Sequence, residues 1–98
     1  MIDVKVDYLP DGVKIRVRTH QEEVSRLLSD LNKLVQLTGC ENRPERVVKA
    51  PNGTHVRVAR QANADGSEET IDLTVLYGHD SNAATDLAGR LEDALRRK

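Results

Sequence analysis

Between Val13 and Gly39 the hydrophobic period changes once, and that change limits what the chain can fold into. Val13, Ile15 and Val17 alternate with Lys14, Arg16 and Arg18, the period of two that marks a half-buried strand. Thr19 and Glu22 then form a T-x-x-E capping box, in which each residue can satisfy a backbone N–H at a helix start. Val24, Leu27, Leu28, Leu31, Leu34 and Val35 follow at helical spacing on one face. Gly39 supplies a left-handed stop. A strand with one charged face leading into a helix with one apolar stripe requires a sheet layered against helices.

The rest of the chain fits that frame. Ile2, Val4, Val6 and Tyr8 alternate with Asp3, Lys5 and Asp7 in a first strand. Leu9-Pro10-Asp11-Gly12 turns the chain, with proline presetting φ and glycine taking the left-handed position. Side-chain parity selects a four-residue loop between Tyr8 and Val13, because a three-residue loop mixes the two faces. That register sets Val6 opposite Ile15 and Val4 opposite Val17. It also places Asp7 against Lys14 and Asp3 against Arg18.

Residues 39–45 form an irregular connection in which Pro44 prevents helix. Arg46 to Ala50 and Thr54 to Gln61 read as a hairpin around Pro51-Asn52-Gly53. Val47 and Val48 are adjacent, so either can face the core. Val56 and Val58 point inward, and His55 and Arg57 outward. Ala62 to Glu69 is a polar turn containing Asp65-Gly66. Ile71, Leu73, Val75 and Tyr77 alternate with Thr70, Asp72, Thr74 and Leu76 in the most regular strand. Asp80 or Ser81 caps a last helix with the stripe Ala84, Leu87, Ala88, Leu91 and Leu95.

The order is ββαβββα, an α+β two-layer sandwich. Every strand has a polar face, so both helices should cover one side of a five-stranded, mostly antiparallel sheet. The long helical connection between the second and third strands favours a parallel crossover there, which would make the sheet mixed. Ninety-eight residues form a single domain over 1–98.

Composition narrows the function classes. Phe and Trp are absent, and Tyr8 and Tyr77 are the only aromatics, so the large flat anchors of ligand pockets are missing. A net charge of −1 argues against generic binding of nucleic acid or membrane, both of which call for a basic excess. Charge is uneven, with five basic groups against Glu41 and Glu45 in residues 41–61, and eight acids against four basic groups in residues 62–98. Solubility and intramolecular pairing account for this. One cysteine, no apolar run of membrane-spanning length and no signal-peptide pattern lead to the expectation of a soluble, cytoplasmic protein.

Motifs for chemistry are sparse. No glycine-rich phosphate loop occurs, and the cysteine and histidine spacings match no zinc signature. The sequence therefore gives no catalytic, cofactor-binding or metal site. His20, His55 and His79 read as surface histidines. Cys40 with a histidine would be a nucleophile–base pair for a small hydrolase. Its place after a helix C-terminus raises a thiol pKa, which favours an inert thiol. The open sheet face gathers Lys5, Lys14, Arg16, Arg18 and Arg57 with Asp3, Asp7 and Asp72, alongside Thr70, Thr74, His55 and Leu76. It has no aromatics for stacking bases and reads as a solvated face with cross-strand ion pairs. The expected partners are no small-molecule ligand, no membrane and no nucleic acid, with a monomer or an edge-strand homodimer.

The alternation in Ile2–Tyr8 and Val13–Arg18, the proline–glycine turn, the Thr19-led helix and the Gly39 stop resemble the first half of computationally designed two-layer α/β proteins. That resemblance covers about 40 residues and rests on general design rules. It implies a structural, non-enzymatic role. From Val13 to Lys98, strand–helix–three strands–helix is similar to the order of the ribosome hibernation-promoting factors. Asp80-Ser81-Asn82-Ala83-Ala84-Thr85-Asp86-Leu87 is similar to the start of their last helix. This second resemblance implies a ribosome-associated or double-stranded-RNA-binding domain that docks through basic helix faces. Here Glu22, Glu23, Asp30, Asp86, Glu92 and Asp93 make those faces acidic.

Overall fold

The computed structural model describes residues 2–35 and 45–97. Five strands form one sheet: β1 (Asp3–Leu9), β2 (Gly12–His20), β3 (Glu45–Lys49), β4 (His55–Ala62) and β5 (Glu68–Leu76). The helices are α1 (Val24–Leu31) and α2 (Ser81–Arg96). The α+β class and the ββαβββα order are as the periodicity implied.

Strand order is β1-β2-β5-β4-β3, and all pairings are antiparallel. The expected parallel crossover from β2 to β3 is therefore corrected. β5 has three inward side chains with no exposure, Ile71, Leu73 and Val75. It takes the centre, between β2 and β4, where its even alternation is covered from both sides. The connection through α1 instead carries the chain past two strands to β3 at the far edge.

The first hairpin has the register that parity selected, with Val6 opposite Ile15, Asp7 opposite Lys14 and Asp3 opposite Arg18. Leu9 also pairs with Gly12, so the strands run one residue further into the turn than expected. Gly12 is not in the left-handed region, which among the described residues is occupied by Gly53, Gly66 and Gly78. Its requirement is space: a Cβ there would lie 2.4 Å from the Val75 carbonyl oxygen. Glycine is needed because β5 passes against it.

The helix start differs from the capping box. β2 continues through Thr19, opposite Glu69, and His20, opposite Glu68. The backbone then makes a 3-10 turn over Gln21–Glu23, whose flanking residue caps nothing through its side chain. Gln21 N–H donates instead to the Ser67 carbonyl at 2.9 Å. Thr19 points into the core at 1% exposure, and its hydroxyl has no hydrogen-bond partner among the described residues. Sheet pairing keeps Thr19 extended and holds its oxygen away from the helix N–H groups. α1 ends at Leu31, and the Leu34 and Val35 N–H groups both donate to the Leu31 carbonyl in a tightened last turn. The Gly39 stop and Cys40 lie outside the described residues.

Val24, Leu27, Leu28, Leu31 and Val35 share one hydrophobic core with Ala84, Leu87, Ala88, Leu91 and Leu95 and with the inward row of the sheet. Both helices thus cover one side. Val48 is the half-buried member of its pair, and Val47 is 50% exposed on the open side. The β3–β4 turn is held by Ala50 N–H to the Thr54 carbonyl and Gly53 N–H to the Ala50 carbonyl, with Gly53 at φ +88°. Tyr8, placed by alternation in the covered row, is 75% exposed. The C-terminal turn of α2 meets β1 near Ile2 and Val4, leaving the other end of the strand bare.

A forked ion pair lies on the covered side. Arg60 holds Glu69 through two parallel bonds, Nε to Oε2 at 2.7 Å and Nη2 to Oε1 at 3.0 Å. Their side chains are only 12% and 6% exposed, so this fork sits where water cannot screen it.

Candidate functional site

The open sheet face is the surface on which the described charges converge. β1 contributes Asp3, Lys5 and Asp7; β2 contributes Lys14, Arg16 and Arg18; β5 contributes Thr70, Asp72, Thr74 and Leu76; β4 contributes His55 and Arg57. The strand registers place all of them on this face, as alternation had placed them. β3 adds Glu45, Val47 and Lys49 through its pairing with β4.

Neighbouring strands match much of this charge internally. Arg16 forks onto Asp72, Nε to Oδ1 at 2.9 Å and Nη2 to Oδ2 at 3.3 Å. The hydrogen bond and charge of Asp72 raise the Arg16 pKa above its ordinary value. Arg18 lies between Asp3, at 3.5 Å, and Glu68, at 3.9 Å. Thr74 is buried although it faces outward, because Lys14 and Arg57 flank it across the ladders. Long aliphatic stems covering a short side chain explain that burial.

The histidines separate into two groups. His20 sits at the end of β2, beside Glu68. His55 and His79 meet at the opposite end of the sheet, around a shallow depression of about 430 Å³ whose other walls include Val47, Leu76, Tyr77 and Asp80. The sequence reading did not bring these two histidines together. The signal for it was the β4–β5 register: pairing Val56 with Val75 draws His55 toward Leu76, and His79 follows three residues on.

Two other polar side chains of the depression are engaged within the fold. Asp80 is committed to α2, where its Oδ1 accepts the Ala83 N–H at 3.0 Å. Asn52 spans the rim, with Oδ1 accepting from Thr54 N–H and Nδ2 reaching the Ala83 carbonyl. Among the described residues neither imidazole is oriented by a hydrogen bond or ion pair, and no three metal-ligating side chains come together. Cys40, the proposed nucleophile of the hydrolase reading, is outside the described residues. No described helix is long and apolar enough to cross a membrane.

A second depression of about 580 Å³ separates the helices, lined by Asp30, Lys33, Leu34, Arg90, Asp93 and Arg97 among others. Its lining carries charges of both signs, and Arg90 is tied to Asp86 at 3.1 Å. No protein-family model, curated protein or solved structure matches the chain.

Proposed function

We propose that this chain is a non-enzymatic structural α/β domain, a stand-alone two-layer scaffold whose sequence follows design rules. The observation that carries this reading is the internal matching on the open face. Arg16 is joined to Asp72, and Arg18 is shared between Asp3 and Glu68, so these arginines are engaged across neighbouring strands. Such ladders of opposite charge reinforce register and keep the surface solvated. Agreement between strand alternation and helix stripe supports an origin in design. The same reading places the protein in the cytoplasm, without a small-molecule ligand or nucleic acid.

The test is a paired binding and activity assay on the folded chain. Retention on double-stranded RNA and on ribosomes is measured across salt concentrations, and ester hydrolysis is compared before and after Cys40→Ala. The proposal expects no salt-dependent retention and an unchanged background rate. Retention that weakens steeply with salt would replace it with the nucleic-acid reading. A rate abolished by Cys40→Ala would replace it with the hydrolase.

A further inference from the structure

Among the described residues the sheet ends at β1 on one edge and β3 on the other, and each carries one of the two strongly exposed large apolar side chains, Tyr8 and Val47. β3 is blunted in the usual way, being five residues long with Glu45, Arg46 and Lys49 among them. β1 is seven residues long and its apolar row is only partly covered. Val4 and Val6 are half-buried, and Tyr8 projects into solvent. An open crevice of about 320 Å³ runs along this edge, lined by Ile2, Val4, Leu95 and Arg96.

The other face of β1 carries Asp3, Lys5 and Asp7, a row that alternates in sign. Asp3 and Asp7 lie opposite Arg18 and Lys14, but Lys5 lies opposite Arg16. The Arg16 guanidinium is turned away to Asp72, and Lys5 makes no ion pair among the described residues. A cation beside a cation at a sheet edge calls for an acid from the far side.

We propose that β1 pairs with β1 of a second copy, antiparallel about a two-fold axis through Val6, so that two sheets become one. Charge selects this register. An axis through Val6 sets Lys5 against the partner's Asp7 and, by symmetry, Asp7 against the partner's Lys5. An axis through Lys5 or Asp7 sets like charges opposite one another, which destabilises a ladder. An axis through Val4 also pairs Lys5 with an acid, but it shortens the overlap and leaves Tyr8 bare. The Val6 register places the partner's Tyr8 directly opposite Val4, on the helix side. Each ring then meets the crevice lined by Ile2, Leu95 and Arg96, whose guanidinium is held by Glu92 at 2.7 Å. One symmetric contact accounts for the exposed tyrosine, the open crevice and the unmatched lysine.

Sedimentation equilibrium of the full chain over a concentration series tests this. The expected result is a reversible monomer–dimer equilibrium. Lys5→Glu alone and Asp7→Lys alone each set like charges across the axis and should raise the dimer dissociation constant by about ten-fold or more. An equimolar mixture of the two variants should recover dimerisation as a heterodimer, because the exchanged charges then meet their opposites. Lys5→Glu also places a carboxylate across from Arg16, so the monomer fold is retained, and thermal unfolding checks this. Tyr8→Ala should weaken association by about ten-fold with no change of charge. A wild-type chain that stays monomeric at every concentration overturns the proposal. So does a dimer indifferent to these substitutions, whose interface is elsewhere, or a variant mixture that fails to associate.

Discussion

Replacing Thr19 with valine should stabilise the protein, although loss of a supposed helix cap would point the other way. The Thr19 hydroxyl is enclosed at 1% exposure and lacks a partner among the described residues. Glu69, the residue opposite it, is occupied by the Arg60 fork. Burying a hydroxyl without a hydrogen bond costs about 1–3 kcal/mol on protein scales. Valine has the same branching, so Thr19→Val replaces the oxygen with a methyl group of similar volume and keeps strand preference. Some of the cost is recovered by relaxation around the oxygen, so a gain of about 1 kcal/mol is expected. In a domain of this size that raises the melting temperature by roughly 4–8 °C. Urea unfolding followed by circular dichroism measures it, with a higher midpoint at constant slope. Thr19→Ser keeps the hydroxyl and loses the methyl, so it should destabilise. The opposite pattern, with valine costing about 1 kcal/mol and serine neutral, would show that the hydroxyl is capping the chain and would refute the reasoning.

Four further outcomes follow from the packing. Gly12→Ala should cost roughly 1–3 kcal/mol, since its Cβ would meet the Val75 carbonyl oxygen at 2.4 Å, and denaturant titration against wild type measures the cost. Leu31→Ala and Leu73→Ala, both at fully buried positions, should each lose about 2–5 kcal/mol, and cooperative unfolding indifferent to them would contradict the core. Asp80→Ala removes the acceptor for the Ala83 N–H and should cost about 1 kcal/mol, readable as a lower melting temperature. The Ser67 N–H and hydroxyl lower the Asp65 pKa below its ordinary 3.8, so the folded state binds this proton less readily than the unfolded state does. That stability is present above the unfolded value and lost as pH falls through the folded one. Acid titration of Asp65→Asn should therefore show a shallower loss than wild type below pH 3.8.

Much of the fold was legible because alternation and helical spacing are local. Five strands, two helices, the β1–β2 register and the membership of the open face all follow from which neighbours can share one side. Strand order is different in kind. β5 pairs with β2 across some fifty residues, and only the competition to cover Ile71, Leu73 and Val75 from both sides makes it central. The parallel crossover failed for that reason, since chain order says which strands follow one another but not which ones meet.

The same limit governs single residues. Thr19 carries the local signature of a cap, yet pairing with Glu69 keeps it in the sheet and turns its hydroxyl into the core. Tyr8 keeps the right parity but lies beyond the reach of α2, and Gly12 is required by a backbone that arrives from the other end of the chain. His55 and His79 share a rim only once β4 and β5 are in register. The amino-acid sequence alone determined which faces are apolar and how each element is built. The tertiary structure decided which elements touch, because contact between distant segments depends on how completely each apolar surface can be covered.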